Sequence, residues 1–368
     1  MRTGYAFLAA LSLSLLQCAS ANFLLEDQWV GGDFFQGWNW ETEDDPTHGR
    51  VNYVSQAEAN ASRLSYGAFS RTSLLSAFGF YIAGVFLLVE NGAFVMRADD
   101  WSIVDPSARG RDSVRISSKN AYNEAIFVLD LAHMPAGCAT WPAFWTLSQQ
   151  GPWPNGGEID IIEGKLLVSL VFLWMTHART LPVQVSICNR QIKPLCILLQ
   201  GAKCPPMHFA SRRLGRVLFS CTRSHPKSPL CLNSYRTTLD TDCNTAVNGN
   251  AGCGVSLNHS GPSYGSAFNA NDGGYYVMVK SRTLGVQVYF WPRNAIDLVP
   301  SEVRECGSGG GYLYPDFSWG VPAANFPMFP DYCNYDDHFN AHQMVFDLTF
   351  CVSACYFCSS TTEVLSLA

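Results

Sequence analysis

Glu158, Asp160 and Glu163 fall within six residues, interleaved with Ile159, Ile161 and Ile162 and introduced by Trp153-Pro154-Asn155-Gly156-Gly157. Carboxylates at that spacing cannot all stay ionised without cost, so at least one pKa rises. One acid then serves as a proton donor and another as a nucleophile. That is the two-carboxylate apparatus of glycoside hydrolysis.

Such chemistry needs the acids on one wall, which dictates the element that carries them. In a strand successive side chains alternate, so Glu158 and Asp160 share one face and Ile159 and Ile161 the other. Strict alternation would leave Glu163 with the isoleucines. A β-bulge at Ile161/Ile162 returns it to the acid face. A helix is disfavoured by the β-branched isoleucines and the glycine pair. A solvated edge strand guarded by charge is the other bland reading, but edge guards are usually lysines and give Trp153-Pro154 no role.

The motif Glu158-Ile-Asp160-Ile-Ile-Glu163 resembles the E-x-D-x-x-E signature of glycoside hydrolase family 16, and its surroundings resemble fungal laminarinase-like β-1,3(4)-glucanases. Matching pieces run in order along the chain: Glu26–Gly31, Asp45–Tyr53, Gly110–Arg115, Cys138–Trp145, Ser263–Gly265, Phe268–Asn271 and Phe290–Asn294. The resemblance implies an all-β fold, an antiparallel β-sandwich of jelly-roll type with a concave substrate cleft. It assigns Glu158 as nucleophile, Glu163 as acid/base and Asp160 as the group that holds Glu158. It also implies a cleft role for Asn52. Trp145 and Trp153 flank the acid strand and are read as sugar-stacking platforms. Arg115 stays open between a surface charge and a cleft hydrogen-bond donor, and Trp141 and Trp291 are read as core.

Composition agrees with a neutral polysaccharide as partner. The formal charge is −6, or −7 once Arg2 leaves with a leader, and no lysine-arginine block stands out, so nucleic acid is not an expected partner. Aromatic content is 13%, enough both for a core and for flat surfaces on sugars. Residues 1–21 read as a signal peptide, with an apolar run from Tyr5 to Leu16 and Ala19-Ser20-Ala21 at the cleavage position, so a secreted, extracellular protein is expected. The 14 cysteines fit an exported, disulfide-bearing chain. The pair Cys355/Cys358 lacks partners at zinc spacing, and neither a metal nor another cofactor is assigned. Sequons at Asn60 and Asn258 are candidate glycan acceptors.

The catalytic domain is expected over 22–351, interrupted by atypical segments at 70–90 and 165–235 and followed by an atypical tail at 352–368. Leu74 to Val89 is nearly unbroken apolar sequence, short for a membrane span and long for one strand. Lys165 to Tyr235 has no clear period and lacks the Leu-His-Thr strand that the resemblance places beside the acids. Leu195-Cys196-Ile197-Leu198 can encode Leu-His-Thr in a shifted frame, and His177 is the nearby in-frame imidazole. Elsewhere Ser113–Ile116, Ala125–Leu129, Val286–Trp291 and Met344–Cys351 read as strands, and Asn248–Val255 as a cysteine-pinned loop. The function expected is retaining endo-hydrolysis of β-1,3- or mixed β-1,3/1,4-glucan by a monomer. A glucan transglycosylase and a non-catalytic glucan-binding protein are the competing readings.

Overall fold

The computed structural model describes residues 23–73, 86–137, 139–150, 153, 156–164, 184–188, 237–240, 242–244, 252–257, 261–305, 312–328 and 333–350. Two antiparallel sheets dominate. Their strands, in chain order, are β1 (Trp38–Trp40), β2 (Arg115–Ser118), β3 (Ala125–Leu131), β4 (Thr140–Ser148), β5 (Glu158–Glu163) and β6 (Gln184–Cys188), then β7 (Thr237–Asp240), β8 (Cys253–Ser256), β9 (Gly274–Ser281), β10 (Gly285–Pro292), β11 (Ala324–Phe326) and β12 (His342–Phe350). The larger sheet runs β7-β8-β6-β5-β4-β12-β2-β1 and the smaller β11-β10-β9-β3.

Alternation decides which face each residue takes. In β4 the side chains of Thr140, Pro142, Phe144, Thr146 and Ser148 are buried, while Trp141, Ala143, Trp145 and Leu147 are half-buried on the other face. Trp141 therefore shares the face of Trp145 and is not the core residue expected, because Pro142 and Phe144 take the inward positions. The inner core joins Ile116, Phe144, Ile159, Ile161 and Met344 of the large sheet to Phe127, Tyr276, Met278, Val288 and Phe290 of the small one. Each such side chain, fully removed from water, contributes roughly 1.5–3 kcal/mol.

β9 is buried along its whole length. Its outer face, with Trp291, packs under Val299, Val303 and Trp319, so the core reading of Trp291 holds. The expected strands at 125–129 and 286–291 are present in close register, and that at 344–351 is present over its described residues, while the one expected at 113–116 breaks at Val114: Arg111–Ser113 pairs in parallel with Val51–Tyr53, and Arg115–Ser118 is β2. A disulfide joins Cys243 to Cys253. It pins the start of β8, so the loop expected over 248–255 gives way to a strand at Cys253.

Two atypical stretches contribute paired backbone. Phe86–Met96 pairs antiparallel with Ser65–Ser73, placing the end of the apolar run in a two-stranded sheet. Gln184–Cys188, inside 165–235, pairs with β5 on one side and β8 on the other. Residues 1–22, 74–85, His177, Leu195–Leu198 and 351–368, including Cys355 and Cys358, lie outside the described residues. Among the described residues no helix is long and apolar enough to cross a membrane.

Candidate active site

The chain enters the acid strand through two glycines that no other residue replaces cheaply. Gly156 and Gly157 have φ of +84° and +88°. A Cβ on Gly156 would lie 2.3 Å from Ser148 Oγ, and one on Gly157 2.8 Å from the His338 carbonyl oxygen. His342, wholly buried on β12, donates from Nε2 to the Gly156 carbonyl at 2.8 Å, and the Thr146 hydroxyl bonds its Nδ1 at 3.0 Å. Burial, with Lys280 nearby, pushes the His342 imidazole down to about 3. The ring is thus neutral, and the carbonyl partner places the proton on Nε2.

β5 then carries the bulge. Against β4, Asp160 faces Trp145, but Ile162 faces Phe144 and Glu163 faces Ala143, so the register slips between Asp160 and Ile162. Ile161 and Ile162 are both buried in the core, at 0% and 3% exposure. The extra residue returns Glu163 to the side of Glu158 and Asp160. The three acids share one face, as the alternation and bulge argument requires.

Their electrostatics differ. Trp153, exposed, donates its indole N–H to the Glu158 carboxylate at 2.6 Å. Burial pushes Glu158 up to about 7; the Trp153 hydrogen bond opposes this, the charge of Glu163 adds to it, Arg115 opposes and Asp347 adds. Asp160 is buried, at 7% exposure. Glu158 is the group that is raised, and the charge of Glu163 is among the causes, so the protonation of one acid depends on the other.

Beside the acids lies a second polar group. One ladder row reads Glu163, Ala143, Asp347, Arg115 across β5, β4, β12 and β2. Asp347 accepts the Trp145 indole N–H at 2.7 Å and the Tyr53 hydroxyl at 3.3 Å. The Arg115 guanidinium lies over the Trp145 ring, 5.2 Å from its centre, and bonds Glu41 at 2.5 Å. Burial holds Asp347 above the usual carboxylate range, against the pull of Arg115. Arg115 is thus largely buried among these groups, paired with Glu41 and stacked on Trp145, rather than standing as a free surface charge.

The structure therefore gathers Glu158, Asp160, Glu163, Trp145, Trp153 and Arg115, while the side-chain partners of Asn52 are other residues. Asn52 donates to Asp112 at 2.6 Å and accepts from Arg109, itself paired with Asp44. Its neighbour Tyr53 is the residue that reaches the acid face. Sequence reasoning missed Asp347, Tyr53 and Glu41. Asp347 had a legible signal, a lone acid inside the apolar run Met344–Phe350. Tyr53 and Glu41 come from segments whose placement only the fold reveals.

Known proteins resemble this chain in sequence and fold. The model of an XgeA-like, catalytic GH16 domain matches residues 87–170 and 219–366. A probable glycosidase of Schizosaccharomyces pombe is 33% identical over 330 residues, covering 89% of this chain and 59% of its own. A probable endo-1,3(4)-β-glucanase of Aspergillus fumigatus is 31% identical over 334 residues, covering 90% and 38%. The chain thus spans 59% and 38% of the lengths of these two curated relatives. Among solved structures, the GH16 laminarinase 16A of Phanerochaete chrysosporium, with β-glucans in both donor and acceptor sites, superposes with a TM-score of 0.62 at 33% identity, over 90% of this chain and 85% of that one. The resemblance carried by Glu158, Asp160 and Glu163 therefore extends over most of the sandwich, and the chain belongs to the GH16 catalytic-domain family.

Proposed function

We propose that the chain is an endo-β-1,3(4)-glucanase that cuts β-glucan with retention of configuration. Glu158 attacks the anomeric carbon, while Glu163 protonates the departing oxygen and then draws a proton from the incoming water. Asp160, on the same face between them, biases the charge of Glu158. Trp145 and Trp153 offer flat apolar surfaces to sugar rings. The observation that carries the reading is the bulge, since without it Glu163 would point into the core. The likeness to a laminarinase that holds β-glucans in both donor and acceptor sites supports the substrate class.

The decisive experiment follows products of laminarin and of mixed-linkage glucan, with wild type beside Glu158→Gln. Shorter sugars from wild type alone are expected. Longer sugars would make the chain a transglycosylase, and binding without turnover a glucan-binding protein. The anomer first released separates mechanisms: β is expected, and α would remove Glu158 from the nucleophile's role.

The same reading has the protein exported with residues 1–21 removed. The leader-like sequence supports this, as does the Cys243–Cys253 disulfide, a bond that persists in oxidising compartments. Amino-terminal sequencing of protein from the medium is expected to begin at Asn22; retention of residues 1–21 on cell-bound protein would contradict it.

A further inference from the structure

Asp347 is a buried carboxylate outside the signature, two strands from Glu163, with only the small Ala143 between them in the row. Its two oxygens take different partners: Oδ1 receives the Trp145 indole N–H and Oδ2 the Tyr53 hydroxyl. The Trp145 ring is held from a second direction by Arg115, which Glu41 anchors in turn. An indole gripped at its N–H and covered on one face has lost its freedom to rotate before any sugar arrives.

We propose that Asp347 is a positioning residue that fixes the plane of Trp145 as a sugar platform beside the acids. The inference deepens the glucanase reading and rests on it. Preorganisation is the physical gain: a ring already in place loses no rotamer entropy on binding. A second consequence is electrostatic. Asp347 is one of the groups that raise Glu158, so its charge also tunes the acid pair. The charged and titratable groups around Asp347 are Arg115, Asp45, Tyr53 and Glu158, with Glu41 behind Arg115.

Two substitutions separate the roles. Asp347→Asn keeps an acceptor for the indole N–H and loses the charge, whereas Asp347→Ala loses both. For Asp347→Ala we expect KM on laminarin to rise about tenfold, the scale of one broken buried hydrogen bond, with a much smaller change in kcat. For Asp347→Asn we expect KM near the wild-type value and an acidic limb of kcat/KM displaced to lower pH. Trp145→Phe, which keeps a ring but has no N–H, should raise KM likewise and make a further Asp347→Ala change nearly silent. Equal KM in wild type and Asp347→Ala, or an Asn variant as impaired as the Ala one, would overturn the proposal.

A readout without substrate guards against loss of fold or of activity. The Trp145 indole N–H resonance should move upfield in Asp347→Ala and stay nearly in place in Asp347→Asn. A resonance unmoved in Asp347→Ala overturns the positioning role. Absence of β-glucan turnover by wild type would instead sink the proposed function, while the indole resonance would still test whether Asp347 orients Trp145.

Discussion

Glu158 sits in a carboxylate environment that favours its protonated form, and the causes are separable by substitution. Glu163 contributes to the rise, so neutralising it should lower Glu158. Glu163→Gln removes the proton donor for glucan, but an aryl glucoside with a good leaving group needs none. On that substrate the acidic limb of the variant is expected below that of wild type, which should lie near 7. A limb that does not move would mean that the two acids are not coupled. Stability gives an independent check. A carboxyl whose folded pKa is raised binds its proton more tightly when folded, so its contribution is most favourable at low pH and fades as pH rises from its unfolded value toward 7. Glu158→Gln should therefore melt a few degrees above wild type at pH 8 and show a smaller difference at pH 4.

At the scale of the element, β5 and its entry turn were readable because several local signals agreed. Isoleucines interleaved with acids define two faces, and the extra residue between Asp160 and Glu163 is required if both acids are to serve one cleft. The glycines ahead of the strand were legible as a turn, but the need for both was not. That need comes from Ser148 at the end of the preceding strand and from His338, distant in sequence, which leave no room for a Cβ. Gly157→Ala is accordingly expected to cost about 1–3 kcal/mol, from a left-handed backbone and a clash with backbone oxygen, and to lower activity by misplacing Glu158. Thermal melts beside glucan assays check this. A stable, fully active Gly157→Ala would show that the turn can relax without disturbing the acid strand. The face of Trp141 was misread for a similar reason: aromatic residues favour both core and cleft, and only the inward positions of Pro142 and Phe144 decide between them. The partners of Asn52, Asp112 and Arg109, come from another part of the chain and were not legible from its own segment.

At the scale of the whole molecule, the sandwich was legible from strand periodicity and the signature. The tie between its sheets was not. Lys280 lies wholly buried on β9 of the small sheet and donates to the carbonyls of Asn123 and Asn340 and to the Tyr335 hydroxyl, at 2.6, 2.8 and 2.9 Å. Asn340 also accepts from Ser148 at the end of β4, so this contact links the small sheet to the turn before Glu158. A lone lysine in Gly274–Ser281 reads as a surface charge, because nothing local announces acceptors 55 or more residues away. Burial pushes its ammonium down to about 7, with Glu124 opposing and Arg282 adding. A lysine depressed in the folded state keeps its proton longer when unfolded. Its contribution to stability therefore rises with pH between about 7 and the ordinary lysine range. Urea unfolding of wild type and Lys280→Met at pH 6 and pH 8.5 tests this. The advantage of wild type should be larger at pH 8.5, by about 1–2 kcal/mol. A difference independent of pH would mean that Lys280 keeps its charge throughout and ties the sheets as an ammonium rather than as a neutral amine.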